Sequence, residues 1–154
     1  MKVLIALLAI CLTTSSFAGL GETLEQTVQR YGPILNKSQN EHLPPSKATW
    51  LYEFYKNGFR IQVSFVNGKC AWILYIKDGQ PIFETEFRTL LENNAEGSAW
   101  SAVAEKREWP FKKKISYSRA DGLADATYQE LDSYNGLGII TKTWREMTSR
   151  ASGL

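Results

Sequence analysis

The stretch TWLYEFYKNGFRIQVSFVNGKCAWILYIKDG, residues 49 to 79, decides the fold class of this chain. Three β-rich runs are divided by Asn57-Gly58 and Asn67-Gly68 and closed by Asp78-Gly79. Asn-Gly between alternating apolar runs is the strongest short-range hairpin pattern, because both residues accept the positive φ angles of a type I′ turn. A two-residue turn at Asn67-Gly68 pairs Val66 with Lys69, so that Phe65 faces Cys70, Val63 faces Trp72 and Ile61 faces Leu74. The same rule at Asn57-Gly58 sets Phe54 against Ile61, Tyr52 against Val63 and Trp50 against Phe65. Both registers select one apolar face, as a real meander requires. At about 1.5–3 kcal/mol for each large side chain buried, that face is the main stabilising feature. Cys70 lies on it and reads as an inert buried thiol.

The opposite face carries Leu51, Glu53, Tyr55, Arg60, Gln62, Ser64, Ala71, Ile73 and Tyr75 and is mostly polar. The pairing sets Tyr55, Arg60 and Tyr75 in one row. Two readings stand: ordinary cross-strand stabilisation, or an exposed amphipathic patch for a protein partner, since Tyr and Arg are enriched where surfaces bind.

Upstream, GETLEQTVQRYGP (residues 21–33) predicts a short helix. Thr23 and Gln26 have capping-box spacing, Glu22 and Glu25 complement the positive helix end, and Leu24, Val28 and Tyr31 form an apolar stripe. Gly32 and Pro33 end it. A helix this short is unstable alone and must pack on the sheet. Before it, Lys2, an apolar run over residues 3–12 and the small residues Ser16 and Ala18 make a secretory signal peptide, residues 1–18, cleaved after Ala18. Ten apolar residues fall well short of the ~20 that span a bilayer. Cys11 follows the bulky Ile10, which argues against a lipid-modified cysteine. The expected location is extracytoplasmic, periplasmic or secreted.

Cleavage leaves 136 of 154 residues, one domain by length, and takes Lys2 from a formal net charge of +2. The near-neutral balance points to no nucleic-acid partner. Cys70 alone remains, so no internal disulfide can form. The single histidine, His42, stands in a polar, proline-bearing stretch, residues 36–46, with no second ligand for a metal site. Neither a phosphate loop nor a nucleophile elbow is present, and no cofactor is expected.

Downstream, Phe83, Phe87, Leu90, Leu91 and Asn94 recur at helical spacing. Glu84 and Glu86 read as helix-end charges. SAWSAVAEKREWP (residues 98–110) reads as a short helix and a loop. Strands are expected over 115–119 and 123–130 around Ala120-Asp121-Gly122, pairing Ile115 with Tyr128 and Tyr117 with Ala126. A last strand over 138–144 follows a turn at Asn135-Gly136, and the tail from Ser149 frays. The fold class is therefore α+β: one domain over 19–154 built of two units, each a helix packed on a three-stranded antiparallel sheet, at about 19–80 and 81–148. The units share an order of elements, as a worn duplication or as two coincident units.

The run Gly21-Glu22-Thr23-Leu24-Glu25-Gln26-Thr27-Val28 with Gly32-Pro33, Trp50-Leu51-Tyr52 and Phe65-Val66-Asn67-Gly68-Lys69 resembles the layout of the SmpA/OmlA outer-membrane-assembly lipoproteins and the β-lactamase-inhibitor-like folds near them. The likeness covers residues 21 to about 76. Over its full length the chain is similar to small secreted bacterial proteins without assigned function, through Arg30-Tyr31-Gly32, residues 90–94 and residues 119–122. The resemblance implies a non-catalytic extracytoplasmic protein that acts by contact.

The expected function is thus an adaptor or inhibitor working through a sheet face or a free edge strand, with its partner and oligomeric state left open. An enzyme is the alternative, since general acid or base work needs one carboxylate with a raised pKa; Glu53, Glu105, Glu108, Asp121 and Asp125 are the candidates. Arg119 reads as a cross-strand ion pair or a ligand anchor. Arg107, Lys112, Lys113 and Lys114, interleaved with Trp109 and Phe111, read either as solvated lysines protecting an edge or as a basic patch for an anionic ligand or membrane surface.

Overall fold

The computed structural model describes residues 19–40, 49–107, 109–132 and 134–149. The expected signal peptide with Cys11 and Ala18, together with His42, Glu108 and residues 150–154, lies outside the described residues. The order along the chain is α1 (Leu24–Tyr31), β1 (Asn36–Gln39), β2 (Trp50–Lys56), β3 (Phe59–Val66), β4 (Lys69–Asp78), α2 (Glu84–Asn93), β5 (Trp100–Lys106), β6 (Lys113–Arg119), β7 (Ala124–Glu130), β8 (Tyr134–Thr141) and α3 (Lys142–Ser149).

These strands form one antiparallel sheet in the order β1-β2-β3-β4-β8-β7-β6-β5. Each half is a meander. The last strands of the two halves pair from Trp72↔Ile140 to Asp78↔Tyr134 and fuse them. This corrects the expectation of two units of one helix on three strands: there is a single eight-stranded sheet, and α1 and α2 cover the same face of it. The four-residue β1 is polar and exposed throughout, so no apolar alternation announced it. The segment expected as helix and loop is the edge strand β5. It is exposed after Trp100, and a bulge between Ala102 and Ala104 breaks its alternation.

The expected turn at Asn135-Gly136 lies inside β8, where Asn135 pairs with both Lys77 and Glu130. The strand expected over 138–144 likewise stops at Thr141. The residues after it form α3, which buries Trp144 against Trp72 with ring centroids 6.0 Å apart.

Other local readings match the structure. Gln26 N–H reaches Thr23 Oγ1 at 3.4 Å, and Thr23 N–H donates to Gln26 Oε1 at 2.9 Å. Asn57 and Gly58 take φ of 52° and 81°, and Asn67 and Gly68 take 51° and 74°, as type I′ turns require. Phe54↔Ile61, Tyr52↔Val63, Ile115↔Tyr128 and Tyr117↔Ala126 pair as expected.

The departure that matters is in β4. Phe65↔Cys70 is in register, but the next pair is Ser64↔Trp72, so Ala71 is an extra residue. Val63 then faces Ile73, and Ile61 faces Tyr75. Because side chains alternate, this one-residue slip turns Ile73 and Tyr75 into the core and Trp72 and Leu74 outward. Phe54, Val63, Ile73, Tyr75, Leu137 and Ile139 form the centre of that core, each at most 2% exposed. Leu24, Val28 and Leu90 of the helices pack over it.

Candidate functional site

Among the described residues the helix on the face away from α1 and α2 is α3, which packs on Ala71, Trp72 and Ile140, while Ser64 and Ile76 are also buried there; around β8 a concavity remains. Its centre is β8, whose outward positions are Gly136, Gly138 and Ile140. Two glycines at i and i+2 remove two side chains from one face of the central strand and leave a trough. Its volume is about 260 Å³. One wall is Trp72 and Leu74 of β4; the other is Asp125, Thr127 and Gln129 of β7. A Cβ on Gly138 would stand 3.8 Å from Leu74 Cδ1 and 4.0 Å from the Thr127 carbonyl oxygen, so the floor has room for a side chain it does not carry.

Helix α3 fixes both walls at one end. Trp144 stacks on Trp72, and the neighbouring Arg145 donates to the Asp125 carboxylate from the other side of β8. Asp125 also accepts from Ser118 Oγ at 3.2 Å. The trough is therefore braced at one end, apolar on one side and hydrogen-bonding on the other. Such a concavity accepts a flat or branched apolar group with a polar edge.

Among the residues expected to bind a partner, Tyr55 and Arg60 are cross-strand neighbours on this face, and Tyr55 is 62% exposed. Arg60 donates to Asp78 at 3.0 Å and lies 3.8 Å from Glu53, so its charge is already matched. Tyr75 is not in their row. The extra residue in β4 puts it on the covered face, where burial pushes its phenol up to about 12. Ile76 stands opposite Arg60 instead.

The basic residues do not make one patch. Arg107 pairs with Glu105 at 3.1 Å and Lys112 with Asp132 at 2.9 Å. Strand alternation sends Lys113 toward α2 and Lys114 to the other face, over the Phe111 ring at 5.0 Å.

The candidate carboxylates are engaged as well. Glu53 accepts from Gln62 Nε2 at 3.0 Å, and Asp121 accepts from Arg119 and from the Leu123 N–H, which hold it below the ordinary carboxylate range. Such a group stays ionised through neutral pH. Arg119 is 3% exposed and bonds Glu96, Asp121 and the Asn94 carbonyl oxygen, a structural junction between α2 and the sheet. Cys70 is buried on the core face, and burial raises its thiol pKa. Among the described residues no group of three or more His, Cys, Asp or Glu side chains is placed to hold a metal ion.

The trough was missed from sequence because Asn135-Gly136 imitates a turn. The telling pattern is Gly136-Leu137-Gly138-Ile139, glycine alternating with large apolar residues, which marks a strand filled on one face and empty on the other. Comparison of the chain with family models, with curated proteins and with solved structures finds no match.

Proposed function

We propose that the chain is an exported, non-catalytic binding protein that holds a partner protein against the open face of its sheet, with the glycine-floored trough receiving one apolar side chain of the partner. The observation that carries this reading is the trough itself, an unfilled and braced concavity at the middle of the sheet. Eight strands at ~4.8 Å spacing give a face roughly 34 Å across and ~25 Å along the strands. That is roughly 800 Å² before the share taken by α3, about what each partner contributes to a standard interface. Trp72 and Leu74 supply the apolar centre, and Tyr55, Gln62, Thr127 and Gln129 a polar surround, the arrangement of interfaces with a central anchor.

The test fills the trough. Gly138→Val adds a branched side chain in a strand without positive φ and with only ordinary contacts. Cross-linked capture from the extracytoplasmic fraction with the parent chain, Gly138→Val and Tyr55→Ala should give a saturable partner that Gly138→Val loses and Tyr55→Ala retains at reduced yield. Equal capture by the parent and a folded Gly138→Val overturns the assignment of the trough.

A further inference from the structure

The other face holds a cleft of about 490 Å³ between the end of α1, the β2–β3 turn and α2. Its floor is Phe59, Ile61 and Leu90, and it is bordered by Tyr31, Tyr75 and Lys56. The volume is that of a small-molecule site rather than a packing defect. Two features give it a polarity.

The first is a proton count. Asn94 Oδ1 accepts from the Leu20 N–H at 3.2 Å, which orients its amide, and Nδ2 donates to the Leu90 carbonyl oxygen at 2.8 Å and to Tyr75 Oη at 3.3 Å. Tyr75 Oη and Tyr31 Oη are 2.8 Å apart. Tyr75 is the more buried of the two, 2% against 8% exposed, and its Oη already accepts from Asn94, so its own proton goes to Tyr31. The Tyr31 proton is then the end of the chain Asn94→Tyr75→Tyr31, and Tyr31 borders the cleft. Burial raises both phenols above their ordinary pKa, so both keep their protons at neutral pH.

The second feature is charge. Arg30 is held by Glu22, and Glu86 by Lys77 at 2.7 Å, so these bordering charges cancel. Lys56 donates to the Arg30 carbonyl oxygen at the end of α1 and has no carboxylate partner among the described residues. A phenolic donor and an ammonium thus border an apolar floor, with no unmatched negative charge among the named groups.

The geometry points to a binding site for a small amphipathic monocarboxylate, its apolar tail on Phe59, Ile61 and Leu90 and its carboxylate between Lys56 Nζ and Tyr31 Oη. This site is separate from the trough and independent of what the open face binds.

Calorimetric titration of the purified protein with octanoate and with 1-octanol tests it, because the two share a tail and differ in charge. Octanoate should bind once per chain and at least about tenfold tighter than octanol, as a charge-assisted hydrogen bond implies. Lys56→Gln should remove that preference while octanol binding stays. Thr89→Trp, at an exposed α2 position bordering the cleft, should abolish binding of both with the fold intact by thermal melting. Equal affinity for octanoate and octanol overturns the site, as does failure of both to bind in the millimolar range. So does a Lys56→Gln variant that melts earlier but keeps the preference, since Lys56 would then only cap α1.

Discussion

The two faces of the sheet are made by the same eight strands and are built on opposite principles. Under α1 and α2 the strands present Phe54, Val63, Ile73, Tyr75, Leu137 and Ile139, and the polar groups there are bound to one another through Asn94, Tyr75 and Tyr31. On the other face β8 presents two glycines, and α3 braces the walls beside them without filling the space between. Most of the core lies on the first face. The second carries a smaller cluster around Ala71 and Trp144 and, beside it, the concavity over β8.

Tyrosine truncation gives the sharpest test of this contrast. Tyr75→Ala should cost about 3–5 kcal/mol, the range for removing a buried aromatic side chain, whereas Tyr55→Ala should stay within about 0.5 kcal/mol. Urea melts of the two variants measure the difference directly, and similar losses would break the distinction between the faces. Asn94→Ala comes next. It leaves the Leu20 N–H without its partner and takes one of two partners from Tyr75 Oη, and should cost about 1–3 kcal/mol.

Smaller effects belong to the open face. Arg145→Ala releases a half-exposed ion pair and should lower stability by no more than about 1 kcal/mol. Gly138→Val, which restricts the unfolded chain and suits a strand, should raise the melting temperature slightly, by the equivalent of about 0.5–1 kcal/mol. A loss there instead would mean that the trough is already occupied by neighbouring side chains.

The smallest effect is acid sensitivity. The Glu86 carboxyl, bound to Lys77 and the Phe83 N–H, and those of Glu25 and Asp121, bound by backbone and side-chain donors, are lowered from their ordinary values of 4.5, 4.5 and 3.8. The folded chain therefore takes up these protons less readily than the unfolded one, and the stability they add is present above the unfolded values and lost as pH falls through the folded ones. Glu25 is exposed and the Glu86 and Asp121 side chains are 30% and 26% exposed, so solvent screens these contacts and melting temperatures between pH 5 and 3 should fall only gently.

Much of the covered face was legible in the sequence and most of the open face was not, for physical reasons. The Asn-Gly turns and the capping box are local, with residue types that their dihedral angles demand, so the β2–β3 pairing and the start of α1 follow from a few positions. The extra residue in β4 has no such mark. Ala71 is neither glycine nor proline, and its placement follows from a distant contact, Trp144 packing where Ala71 and Trp72 turn to the same side. Everything after it, including the inward turn of Tyr75, depends on that long-range packing. Strand β8 was hidden for a related reason. A glycine flanked by asparagine looks the same whether it bends the chain or merely withholds a side chain, and only the pairing of Asn135 with both Lys77 and Glu130 tells them apart.

The order of strands also decides how the molecule meets copies of itself. An open sheet ends in two rims of unpaired backbone, and such rims are where chains add to one another in sheet-to-sheet growth. Here the rims are β1, four polar residues long, and β5, kinked between Ala102 and Ala104 and ending in Glu105 and Lys106. Neither offers a long flat template. Among the described residues, pairing between copies along the sheet edges should therefore be weak even though the sheet is wide, because its long apolar strands lie in the middle and its short or bulged ones outside.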